Sequence, residues 1–161
     1  MIKLPFGVEI NDLIDNLRSL SWEAADILLY YANIIKKLEQ KNEILKNKNN
    51  DDPVTLADLE VNELIINRIN QKYQDTNWEI LSEENFKIQS NYFNNVDWLW
   101  VLDPLDGTKD FIQGTQNYAM HLALNYKQRP YIGIVLIPEK DELWISYEEK
   151  IWCENRDGNI R

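Results

Sequence analysis

The chain carries one cysteine and one histidine in 161 residues. A lone Cys153 excludes an intramolecular disulfide framework and fits a reducing compartment. It lies in the apolar patch Ile151-Trp152-Cys153, where a thiol acts as a small buried hydrophobe. His121 is the sole imidazole and sits in an alternating apolar segment, which predicts a packed or half-exposed structural side chain. With the one His and the one Cys both in apolar segments, Ser-His and Cys-His nucleophilic mechanisms have almost no support, and a zinc centre of the usual His/Cys kind is similarly poorly supplied with ligands. Neither a Walker-type phosphate loop nor a Gly-x-Gly-x-x-Gly run occurs. An apolar stretch of membrane-spanning length is also missing. The opening Met1-Ile2-Lys3-Leu4-Pro5-Phe6 has neither the apolar core nor the small-residue cleavage site of a secretory signal. These absences predict a cytoplasmic protein without a membrane span.

Basic residues are scarce too: 17 Lys and Arg face 27 Asp and Glu, for a net charge of -10. Nucleic acid polymers and anionic membranes are bound by neutralising phosphates with Lys and Arg, so neither is an expected partner. A chain this acidic that handles small phosphorylated molecules needs a local cation, and a bound metal provides one. The remaining composition, 44% hydrophobic and 27% charged, is that of one globular domain with one core. Six Trp and eight Tyr supply much of that core's volume, with a few available to line a site for a flat ligand.

Apolar residues recur at helical spacing from Leu13 through Leu17, Leu20, Ala24, Leu28, Tyr31 and Ile35 to Leu38, and Asn11 or Asp12 can cap that helix. Residues 39–50 are Lys- and Asn-rich and read as a loop. Thr55 followed by Asp58 has the form of a capping box, with Leu59, Leu64, Ile65 and Ile69 continuing a second helix. Beyond residue 75 the texture changes. Strands are predicted at Trp78-Glu79-Ile80-Leu81 and at Trp98 to Leu102, with a polar loop over 85–97 between them and a short helix at Thr108 to Ile112. From Tyr118 the period is two, and tight turns near Gln128 and Pro138 make the following strands antiparallel neighbours. Two helices followed by a meander predict an α+β fold, with the helices packed on a mainly antiparallel sheet.

The chemistry concentrates in Asp103-Pro104-Leu105-Asp106-Gly107-Thr108, which follows the apolar run Trp98 to Leu102. Taken singly, each acid has a plain alternative. Asp58 serves equally as a helix cap, Glu83 and Glu84 as surface acids, and Asp103 as a turn acid. The combination is harder to dismiss, because a generic turn needs no second acid and no threonine. Carboxylate and carbonyl oxygens hold hard cations such as Mg²⁺. Such an ion lowers the pKa of a coordinated water, and the reaction class is metal-assisted hydrolysis of a phosphate ester.

On these residues the chain resembles the inositol monophosphatase superfamily of Mg²⁺-dependent, Li⁺-sensitive phosphatases. Its Asp-Pro-Ile/Leu-Asp-Gly-Thr signature stands complete at Asp103 to Thr108. Pro53-Val54-Thr55-Leu56-Ala57-Asp58 and Leu81-Ser82-Glu83-Glu84 are similar to its two upstream segments. Ser82-Glu83-Glu84 together with Gly107-Thr108-Lys109-Asp110-Phe111 most resembles the CysQ-type 3'(2'),5'-bisphosphate nucleotidase branch, where Glu usually stands in place of Asp110. The resemblance implies Glu83, Asp103, Asp106 and the Leu105 carbonyl as metal ligands. It implies Asp58 and Thr108 as the residues that orient the nucleophilic water, and the N–H groups of Gly107 and Thr108 as the phosphate receptor. Glu84 is implied as a near-site acid. The cofactor implied is Mg²⁺, with inhibition by Li⁺. The substrate implied is adenosine 3',5'-bisphosphate, losing its 3'-phosphate, with inositol phosphates as the alternative. Family members carry a further metal-binding Asp in an Asp-x-Ala-Ala-like motif in a second half, and no such motif follows Thr108 here. Residues 1–161 therefore correspond to the family's first, metal-binding domain. A non-catalytic remnant that binds a metal or a partner, or a homodimer formed through an uncovered apolar face, is the competing expectation.

Overall fold

The computed structural model describes residues 2–40, 53–83 and 96–160, with side chains for 2–37, 56–83 and 96–160. Helix α1 spans Ile10–Gln40 and α2 spans Pro53–Lys72. Six strands follow: β1 Glu79–Ser82, β2 Trp98–Asp106, β3 Ala119–Tyr126, β4 Arg129–Ile137, β5 Glu142–Tyr147 and β6 Lys150–Glu154. A short helix α3, Thr108–Ile112, sits between β2 and β3. The strands form one sheet in chain order; β1 and β2 run parallel and every later pair is antiparallel. This is the α+β architecture that the helix-then-meander order predicts.

One face of α1, made by Leu13, Leu17, Leu20, Ala24, Leu28, Tyr31 and Ile35, is buried, as its spacing requires. The helix begins at Ile10, so Asn11 and Asp12 occupy its first turn and neither is the cap. Its partner α2 starts at Pro53, a residue suited to the first helical position because its missing N–H would have no acceptor there. With the helix starting that early, Asp58 lies a full turn inside it, and the Thr55–Asp58 capping box does not form the helix start. The face α2 buries is Ala57, Val61, Ile65 and Ile69; Leu59, expected in the core, is exposed.

Polar contacts set the two helices antiparallel. Lys72 reaches Asn16, Arg68 pairs with Glu23 at 2.6 Å, and the Tyr31 hydroxyl donates to Glu60 at 2.6 Å. Both pack on one sheet face, where Trp98, Trp100, Leu102, Met120, Leu122, Leu124, Ile132, Ile134, Leu136, Leu143 and Ile145 are buried beneath them. The C-terminal end is tied to α1 as well. Glu154 is 3% exposed and receives a two-armed contact from Arg18, while Arg156 pairs with Asp26 at 2.7 Å and stacks over Trp22. The patch Ile151-Trp152-Cys153 is the middle of β6, and Cys153 is buried.

The second sheet face has a different character. Register aligns Asp103, His121, Val135, Trp144 and Cys153 in one row across five strands, and Val101, Ala123, Gly133, Ser146 and Ile151 in the next. Neither row carries a helix among the described residues. A trough of about 280 Å³ runs along them, with Trp144 and the 70%-exposed Ile151 at its far end and Asp103 and His121 at its near end.

Candidate functional site

The site is built at the end of β2. Parallel pairing with β1 stops at Ser82–Leu102, and Glu83 follows one residue beyond the end of β1. Past that point β2 pairs only with β3, and its register slips. Asp103 faces His121 and Asp106 faces Ala119, so two β2 residues, Pro104 and Leu105, oppose the single Met120. This is a β-bulge. It explains how a strand continues through a proline, which has no N–H for the ladder. The sequence reading ended the strand at Leu102; the acids instead lie within it.

The bulge has a consequence for charge. Residues three apart in a regular strand point to opposite faces. The extra residue returns Asp106 to the face of Asp103, so both carboxylates meet on the side that also carries His121. The Asp103 carboxyl is pushed above its ordinary range, first by burial and then by the negative charge of Asp106; the Leu105 N–H and His121 act in the opposite direction. His121 Nδ1 stands 3.8 Å from Asp106 Oδ2. Two like charges facing each other in partial burial are a natural seat for a cation.

Local hydrogen bonds fix the loop that follows. The Leu105 N–H donates to Asp103 Oδ1 at 3.2 Å, and the Thr108 hydroxyl donates to the Leu105 carbonyl at 3.3 Å. That carbonyl keeps a second lone pair. Gly107 takes φ 84°, a left-handed conformation that costs L-residues energy, and caps α3. Buried Phe111 anchors α3 by packing edge-on to Tyr118 at 4.7 Å. Asp110 accepts from the Thr115 hydroxyl, while its carbonyl accepts the Thr115 N–H at 3.1 Å. Its acid thus closes the turn after the helix.

The sequence-predicted residues are only partly gathered. Asp103, Leu105, Asp106, Gly107 and Thr108 share one strand end and loop, and Glu83 is exposed at the end of the neighbouring strand. Asp58 is half-buried on α2, which packs against β2 and α3 from the helical side of the sheet. Glu84 lies outside the described residues. Among the described residues, no group of three or more His, Cys, Asp or Glu side chains is arranged to hold a metal ion. The donor chemistry nonetheless fits a hard divalent ion, with a carboxylate pair, one of them held above its ordinary pKa by burial and then by the other's charge, beside a peptide carbonyl. His121 is the site residue that sequence reasoning undervalued. Its alternating strand is visible in the sequence, but its register opposite Asp103 is not.

A model of the inositol monophosphatase family matches residues 10–156. The 3'(2'),5'-bisphosphate nucleotidase CysQ of Salmonella typhimurium is 26% identical over 145 residues, covering 88% of this chain and 54% of that protein. The chloroplastic bifunctional phosphatase IMPL2 of Arabidopsis thaliana is 31% identical over 120 residues, covering 70% of this chain and 32% of that protein. Among solved structures, CysQ from Bacteroides thetaiotaomicron, a bacterial member of the inositol monophosphatase family, superposes with a TM-score of 0.60 at 27% identity, over 82% of this chain and 45% of that one. The chain spans about half the length of CysQ and a third of that of IMPL2.

Proposed function

This chain belongs to the inositol monophosphatase family, and from that premise we propose that it is the cation-binding part of a phosphomonoester hydrolase. The proposed reaction is removal of the 3'-phosphate of adenosine 3',5'-bisphosphate, the substrate class that its likeness to CysQ favours. The observation that carries this reading is the bulge at Pro104-Leu105, which brings Asp103 and Asp106 to one face immediately before Gly107 and Thr108.

Glu83, Asp103, Asp106 and the Leu105 carbonyl would hold the ion, Mg²⁺ in this proposal, with Li⁺ as inhibitor. A divalent cation there supplies charge neutralisation of phosphoryl oxygens and Lewis-acid activation of the nucleophile. The chain's own groups do the rest. Thr108, its hydroxyl directed by the Leu105 carbonyl, orients the attacking water together with Asp58. The N–H groups of Gly107 and Thr108, at a helix start where amides lack intrahelical acceptors, receive the phosphate. The setting proposed is cytoplasmic; none of the described helices is long and apolar enough to cross a membrane.

The test is phosphate release from adenosine 3',5'-bisphosphate by the purified chain, with and without Mg²⁺ and Li⁺, and with inositol 1-phosphate as competitor substrate. Release that requires Mg²⁺, falls with Li⁺ and favours the nucleotide supports the proposal. Preference for inositol 1-phosphate would replace the substrate. A folded chain that releases nothing from either would make it a binding domain only.

The apolar trough favours that second reading. A sheet face bearing Val101, Val135, Trp144 and Ile151 is better buried than wet, and a second copy of the chain is the proposed cover. Light scattering after size exclusion decides between dimer and monomer.

A further inference from the structure

We propose that His121 is a positioning residue for Asp106 in the cation site, an inference that rests on the cation reading above. Asp106 is the last residue of β2, beyond the bulge, and its side chain is 58% exposed. A short carboxylate at a strand end turns freely unless a neighbour holds it. His121 is that neighbour. It stands in β3, fixed on one side by pairing with Asp103 in β2 and on the other by pairing with Val135 in β4. Its backbone is held by neighbours on both sides, and its Nδ1 lies 3.8 Å from Asp106 Oδ2. A small rotation of either side chain brings the ring N–H onto that oxygen.

Engaging Oδ2 leaves Oδ1 for the ion, and a ligating carboxylate whose second oxygen is hydrogen-bonded is held in one orientation. The alternative role, in which His121 merely fills space, is poorly served by the geometry. The ring is 43% exposed and faces two carboxylates, not the helical core. The effect requires only the N–H donor of a neutral imidazole.

The experiment is calorimetric titration of Mg²⁺ and Mn²⁺ into the wild-type chain and into His121→Ala, His121→Asn, Asp106→Asn and the double variant His121→Ala/Asp106→Asn, with thermal melting of each in the absence of cation. Removal of an outer-shell partner weakens metal binding by roughly 10–100-fold, so His121→Ala is expected at the low end of that range with an unchanged melting temperature. His121→Asn retains a donor and should recover most of the affinity. His121→Ala should add nothing in the Asp106→Asn background, because its effect runs through that carboxylate. If His121→Ala binds like wild type while Asp106→Asn loses affinity, the proposal fails and the cation reading stands. Equal additional weakening in both backgrounds, or loss of affinity only in step with loss of fold, also overturns it. A wild-type chain that takes up neither ion overturns both.

Discussion

Replacing Gly107 by alanine separates two costs that the structure sets at one residue. The backbone there has φ 84°, and a Cβ would lie 2.7 Å from the Asn117 carbonyl oxygen and 3.2 Å from the Tyr118 Cα. The left-handed conformation costs alanine about 1–2 kcal/mol. The clash is with backbone, not with a side chain that can swing away, and forcing extra volume into a packed place adds about 1–3 kcal/mol. Gly158 is the internal control, since it has φ 79° but nothing within 4 Å of an added Cβ. Gly158→Ala therefore carries only the backbone cost. For a chain of this size each kcal/mol moves the melting temperature by roughly 2–4 °C. Gly158→Ala should thus lose roughly 2–8 °C and Gly107→Ala roughly 4–20 °C, the excess reporting the clash. Differential scanning calorimetry of both variants without divalent cation is the assay. Because Asn117 and Tyr118 lead directly into β3, their displacement should also disturb the Asp106–Ala119 register and weaken cation binding in Gly107→Ala alone. Equal melting temperatures for the two variants would refute the argument that the Gly107-Thr108 loop is seated against the start of β3.

Three further outcomes are expected. The Asp103 carboxyl, raised above its ordinary value of 3.8 by burial and by Asp106, favours folding below that value and loses this contribution as pH rises through its folded pKa. Asp103→Asn should therefore melt higher than wild type at pH 7 without cation, with the gap closing toward pH 4, and should lose the cation-induced rise in melting temperature; a pH series of thermal melts reads both. Arg18→Ala leaves the buried Glu154 carboxylate without its guanidinium and should cost about 2–4 kcal/mol, somewhat less than the roughly 3–5 kcal/mol of a fully buried broken pair because Arg18 is partly exposed; Glu154→Gln in that background should restore part of it in urea denaturation. Ile151→Asp, on the exposed trough, should abolish self-association in light scattering while shifting the melting temperature by less than about 2 °C.

Periodicity made the elements of this chain legible. The helical spacing in α1 and the alternation in β3, β4 and β5 come from burying one face of each, and that requirement acts locally. Element ends were less legible. Pro53 opens α2 two residues ahead of the supposed cap, and Leu59 is exposed because the buried stripe follows Ala57, Val61, Ile65 and Ile69. Of the stretches 39–50 and 85–97 read as loops, residues 39–40 are instead the last of α1, because the helix runs on to Gln40, and 96–97 lead into β2; 41–50 and 85–95 lie outside the described residues.

The sequence by itself determined that two carboxylates, a carbonyl and a Gly-Thr step would stand together, since covalent neighbours cannot be separated. It also determined the left-handed turn, because only glycine adopts φ 84° without penalty at position 107. Tertiary structure decided which way the acids face. Spacing of three alone sends Asp103 and Asp106 to opposite sides of a strand, and only pairing with β3 through a two-against-one bulge returns them to the same side. It likewise decided that His121 joins them and that, among the described residues, one sheet face carries no helix, because cross-strand register is set by the burial of the whole sheet and is written in no single segment.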